Sequence, residues 1–131
     1  MNIYGNLPYK NSLKIEIMLV KCHGGFKYAM TFDVYTRFKQ ICEISIAAVP
    51  RKKNFRDYCE VKNPFVNKQT AAVSLEFFQE CLEFLEKEFS GWLGHCYPTD
   101  PRRLRIYTAF LNRRHKNNVK VDEYGKLTWT L

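Results

Sequence analysis

The sequence is short of the glycine patterns that mark phosphate and cofactor loops. Its six glycines never fall into GxGxxG, GxxxxGK(S/T) or GxSxG spacing, so the dinucleotide fingerprint, the P-loop and the nucleophile elbow are all missing. No apolar run approaches the roughly 18 residues a membrane-spanning helix needs, and the stretch Met1–Asn6 lacks the basic-then-apolar layout of a secretory signal. The five cysteines are an odd number with no CxxC pair. That argues against a disulfide framework and a zinc knuckle, and makes a cytoplasmic setting with free thiols the expectation. Cys22, Cys42, Cys59, Cys81 and Cys96 mostly stand among apolar neighbours and read as small buried hydrophobes. Cys22-His23 and His95-Cys96 are adjacent in sequence, which in a strand sends the two side chains to opposite faces. His23, His95 and His115 show no metal-ligand spacing.

What is present is charge, unevenly placed. The net charge of +8 is carried by two basic segments around one acidic one. Residues 51–68 hold Arg51, Lys52, Lys53, Arg56, Lys62 and Lys68 against Asp57 and Glu60, and residues 70–89 hold five glutamates against Lys87. Residues 101–120 hold seven cations and no acid. A surplus of this kind suits a polyanionic partner, either a nucleic acid or an acidic protein surface.

The length of 131 residues fits one domain, and the patterning predicts an α+β fold with a mostly antiparallel sheet. Leu13, Ile15, Ile17 and Leu19 recur at period two and predict a strand over 13–21. The turn His23-Gly24-Gly25 leads to a second strand, in which Phe26, Tyr28, Met30, Phe32 and Val34 alternate with polar residues. Residues 41–49 predict a third strand, stopped by Pro50, and Tyr58 to Lys62 a short fourth one. Over 71–89 the residues Ala71, Leu75, Phe78, Leu82, Leu85 and Phe89 form a helical stripe, widened by Phe77, Cys81 and Phe84, as expected of a helix laid across a sheet. Ser90-Gly91 ends it. Trp92 to Tyr97 reads as a strand. Asp100 and Pro101 are the N-cap and first position of a second helix reaching about Arg114, with Leu104, Tyr107 and Leu111 inward. A hairpin of 119–121 and 126–131 closes the chain.

The constellation that stands out is Arg102, Arg103 and Arg105 in the first turn of that second helix. Cations are locally unfavourable there because the helix dipole is positive at its start, so three of them invite an anion. Arg113 and Arg114 lie further along, and Arg102, Arg105 and Arg113 point away from the apolar face. The loop Arg51, Lys52, Lys53, Asn54, Phe55, Arg56 repeats the mixture of cations and an aromatic. These nine basic residues predict a non-catalytic binding surface for nucleic acid or a nucleic-acid-handling protein. A small phosphate-bearing ligand such as a nucleotide at the same helix start is a further possibility.

The order of elements also resembles the core of the GNAT acyltransferases. In that family a strand leads into a loop whose amides hold the coenzyme A pyrophosphate. The corresponding stretch here is Asn67-Lys68-Gln69-Thr70-Ala71-Ala72, which contains no glycine. A tyrosine in the next helix often serves there as general acid toward the leaving thiolate, and Tyr107 looks like that position. The resemblance therefore implies acetyl-CoA as cofactor and N-acyl transfer as the alternative activity.

Overall fold

The structure is a computed structural model that describes residues 2–5, 14–52, 68–98, 101–115 and 118–131. Its centre is three long strands: β2 (Lys14–His23), β3 (Phe26–Tyr35) and β4 (Gln40–Pro50). They form the antiparallel meander that the alternating hydrophobics predict. Gly24 takes a φ of 60° in the β2–β3 turn, a left-handed conformation that costs glycine little. Lys39 takes the left-handed φ of 51° in the next turn, without that freedom.

The other strands extend this sheet on both sides. β1 (Asn2–Gly5) pairs with β2, β5 (Leu93–Cys96) lies beside β4, and β6 (Lys120–Val121) and β7 (Leu127–Thr130) form the closing hairpin. The order across the sheet is β1-β2-β3-β4-β5-β7-β6. Every pair is antiparallel except β4 with β5, which is parallel. The hairpin turn is held by the Asp122 carboxylate, which accepts from the backbone N–H of Tyr124 at 2.8 Å and of Lys126 at 2.9 Å.

Among the described residues two helices connect the strands. α1 (Lys68–Glu88) links β4 to β5, and α2 (Pro101–His115) links β5 to β6. α1 starts three residues earlier than its apolar stripe predicts. It buries Phe77, Phe78, Cys81, Leu82 and Leu85 against Tyr28, Met30, Phe32, Ile44 and Ile46 of the sheet. α2 packs beside it on the same face. Phe78 stacks on Tyr107 with ring centroids 4.8 Å apart and tilts against Phe110 at 5.5 Å. Such a ring pair adds about 0.5–1.5 kcal/mol beyond the area it buries.

Several expectations lie outside the described residues: the short strand over Tyr58–Lys62, the Asp100 cap and Cys59. β1 has no counterpart among the predicted strands. Gly94 faces the ring of Trp129, and a Cβ built there would lie 3.0 Å from two of its carbons. Gly94→Ala is therefore expected to destabilise the fold by about 1–3 kcal/mol through overpacking. Gly25→Ala, with nothing within 4 Å of the added carbon, is expected to stay within about 0.5 kcal/mol of the parent. Urea unfolding of the two variants measures the difference.

Candidate functional site

The parallel pair determines where the chain ends of interest meet. Phe77 contacts Tyr28, which pairs with Ala48 near the end of β4, while Phe89 contacts Phe32, beside the middle of β4. α1 therefore runs antiparallel to β4, with its N-terminus at the C-terminal end of that strand. α2 runs in the same direction as α1: Phe78 meets Tyr107, and Glu86 meets Arg114. Both helix N-termini thus lie at the C-terminal ends of the two parallel strands. Ligands of open α/β sheets collect at such an end, because helix dipoles and free N–H groups point into it.

The same topology brings the two basic segments to one end of the sheet. Arg51 and Lys52 are exposed directly after β4, and the Arg51 N–H donates to the Gly25 carbonyl at 3.0 Å. Arg102, Arg103 and Arg105 lie in the first turns of α2. The other basic residues separate. Arg105 and Arg113 are exposed on α2. Arg103 is buried, because it shares the inward stripe of Tyr107 and Leu111 at four-residue intervals, and so it does not belong to the exposed arginine face. Arg114 is held by Glu86 of α1 through bonds of 2.9 and 3.0 Å, a bidentate pair that commits it to joining the helices. Lys53 and Arg56 lie outside the described residues, and Arg102 is placed by its backbone alone. Tyr107 is 4% exposed under Phe78, a core position. The stretch Asn67–Ala72, matched to a coenzyme loop by the resemblance, is helical from Lys68 onward.

β5 is much shorter than β4 and pairs with it to its last residue. Their ladder runs Gln40 to Leu93, Ile41 to Gly94 and Ile44 to Cys96, and stops there. β4 continues to Pro50, and among the described residues no strand pairs with its β5 side beyond Ile44. The register slips at the same place on both flanks of β4, between Ile41 and Ile44 toward β5 and opposite Thr31–Asp33 toward β3. One extra residue is therefore inserted, and Glu43 takes the left-handed φ of 54°. A bulge of this kind bends its strand and re-aims the neighbouring side chains. Here it stands just before the end of β5. Ile46, Ala47, Ala48 and Val49 beyond it are buried, Ile46 and Ala48 in the core beneath the helices.

The bulge also organises a row of polar side chains on the sheet face opposite the helices. Cross-strand register aligns Glu16 with Asp33, Asp33 with Cys42, His95 with Thr128 and Thr128 with Lys120, while His95 lies opposite the bulge pair Cys42–Glu43. Burial raises the Asp33 carboxyl above the usual range; Glu16 and Glu43 push the same way and Lys14 opposes them. Burial also raises the Cys42 thiol, helped by Glu43 and Asp33 and opposed by Lys126, so it stays protonated. Cys96, inside the core, is pushed up to about 12 by burial and by Glu43, against Arg103. Burial and then Lys126 lower His95, leaving its imidazole neutral at neutral pH. Its Nδ1 is 3.3 Å from the Thr128 hydroxyl, whereas its Nε2 is buried with no hydrogen-bond partner among the described residues. The Cys42–His95 neighbourhood depends on strand pairing and is invisible to sequence spacing. No cluster of three or more metal-ligating side chains occurs among the described residues, and no described helix is long and apolar enough to cross a membrane.

The raised Asp33 carboxyl has a consequence for stability. A group whose folded pKa lies above its unfolded value holds its proton more tightly in the native state. Its contribution is fully present below the ordinary carboxylate range and is lost as pH rises through the raised value. Asp33→Asn is expected to be more stable than the parent at neutral pH and equal to it in acid below that range. Urea midpoints at the two pH values check this.

Compared with family models, with curated proteins and with solved structures, the chain matches none.

Proposed function

We propose that the chain binds an acyl-coenzyme A along β4 beyond the end of β5 and acts as a GNAT-like N-acyltransferase. The observation that carries this reading is that the parallel β4–β5 ladder ends with β5 at Cys96, just past a bulge in β4, while β4 runs on to Pro50. Beyond Ile44 no described strand pairs with the β5 side of β4, and a strand edge offers an extended thioester arm backbone N–H and C=O groups at regular spacing. The phosphates at its far end meet the positive ends of two helices together with Arg51 and Lys52. Tyr107 has no part in this reading, since it is spent on the core.

The basic residues also support a second reading, a nucleic-acid surface. Arg105 and Arg113 are exposed along the outer face of α2 and are not needed by a coenzyme. Of the nine basic residues in the predicted surface, however, Arg103 and Arg114 are committed to packing and to Glu86. Among the described residues of that set, Arg51 and Lys52 are exposed at the strand end and Arg105 and Arg113 along a helix. A ligand with charge concentrated at one end fits that split better than a uniformly charged polymer.

Acetyl-CoA is expected to raise the melting temperature of the protein, by about 2.7 kcal/mol of stabilisation at a hundredfold excess over Kd. Acetyl-pantetheine, which lacks the adenosine phosphates, is expected to act more weakly, and Arg51→Ala combined with Lys52→Ala is expected to narrow the difference. No shift at millimolar acetyl-CoA, together with binding to DNA or RNA that falls steeply with salt, would replace this reading with the second one.

A further inference from the structure

α1 and α2 lie side by side and point the same way, and their outer faces carry opposite charge. On α1 the exposed stripe away from the sheet runs Ala72, Glu76, Gln79, Glu83 and Lys87. On α2 it runs Arg105, Ala109 and Arg113. Two other acids of α1 are spent inside the chain, Glu80 on Lys21 and Glu86 on Arg114. Among the described residues Glu76, Glu83, Arg105 and Arg113 form no ion pair and no side-chain hydrogen bond.

The two stripes are also in step. The Phe78–Tyr107 stack and the Glu86–Arg114 pair fix the levels along the helices. Glu76 stands two residues before Phe78 and Arg105 two before Tyr107, so they share a level. Glu83 and Arg113 stand five and six residues further on from that stack, about 1.5 Å apart in height. Lys87 lies beyond the level of His115, the last residue of α2. The groove between the helices is apolar. Phe110 leans on Phe78, Ile106 is one turn before it, and Leu75 shares the α2 side of α1 with Glu86, three turns on. All three apolar residues are half-buried.

We propose that this helix face is the interface of a symmetric homodimer, in which α1 of each copy lies on α2 of the other. A two-fold axis parallel to the helices, over the groove between them, makes that exchange and leaves every level unchanged. Glu76 then meets Arg105 of the partner subunit, Glu83 meets Arg113 of the partner subunit, and the symmetry repeats both pairs. A two-fold axis across the helices would set α1 on α1 and α2 on α2, with like charges opposed, and is excluded on that ground. The half-buried groove gives the contact an apolar centre inside a charged rim. Ion pairs at such a rim fix the partner and the register more than they add affinity. A nucleic acid fits this face less well, because it would lie against Glu76 and Glu83 beside the arginines. The face is separate from the strand end assigned to the coenzyme.

Sedimentation velocity of the full chain over a concentration series tests the proposal. The parent is expected to pass from monomer to dimer as concentration rises. Two reversed variants, Glu76→Arg with Glu83→Arg and Arg105→Glu with Arg113→Glu, are each expected to self-associate about a hundredfold more weakly or less, because like charges then face each other. Mixed in equal amounts, they are expected to form a heterodimer, since every pair across the mixed interface joins opposite charges. The proposal is overturned if the parent stays monomeric up to about 1 mM, if either reversed variant dimerises like the parent, or if the mixture stays monomeric while the parent dimerises. Should a reversed variant fail to fold, Ala109→Glu replaces it: this change sits on an exposed position and puts bulk and negative charge against the acidic stripe. A monomeric Ala109→Glu supports the proposal, and a dimer like the parent's overturns it. A monomeric parent that binds RNA through Arg105 and Arg113 overturns it in favour of the nucleic-acid surface.

Discussion

Two parallel strands cannot be joined by a tight turn, so β4 and β5 require a long connection that returns the chain to its starting end. That requirement orders the molecule. The return path contains α1, whose broad apolar stripe covers β2, β3 and β4. β5 then sends the chain into α2, which lies beside α1 and points the same way. Both helix starts, the end of β4 and the Gly24-Gly25 turn therefore gather at one end of the sheet. Nothing about the basic residues themselves puts Arg51 and Arg102 at the same end; the parallel pair does.

The bulge in β4 supplies the second constraint. A regular ladder would keep β4 and β5 bonded along their shared length. The extra residue at Glu43 shifts the register toward both neighbours at once. β5 ends one ladder pair beyond it, and Asp33, Cys42, His95 and Thr128 form a row across the bulge on the face away from the helices. The acidic helix has a quieter part. Glu86 bonds Arg114, and Glu80 accepts from Lys21 at 2.6 Å. These partly exposed pairs contribute about 1 kcal/mol or less each, but they tie α1 to α2 and to β2 and remove Arg114 from the surface charge.

The two helices, the meander and the closing hairpin were legible in residue periodicity, because burial on one face imposes it. Strand partners were not, since a period of two says which face is buried and nothing about the neighbour. That is why the parallel pair, the Cys42–His95 neighbourhood and the meeting of the basic segments needed the structure. β1 was missed because four residues show almost no period. Two signals were present and went unread. The buried positions Ile41, Ile44, Ile46 and Ala48 are spaced by three, then two, then two, which marks the bulge. Arg103, Tyr107 and Leu111 recur every four residues, which puts Arg103 on the inward stripe despite its charge.

The central claim is that the end of the β4–β5 ladder is a ligand site. Backbone amide NMR of the full chain titrated with acetyl-CoA tests it most directly. The account predicts shifts concentrated at Glu43–Ile46, at His95–Cys96, at Arg51–Lys52 and in the first turn of α2. Shifts confined to the outer face of α2 around Arg105 and Arg113, or no shifts at all, would contradict it.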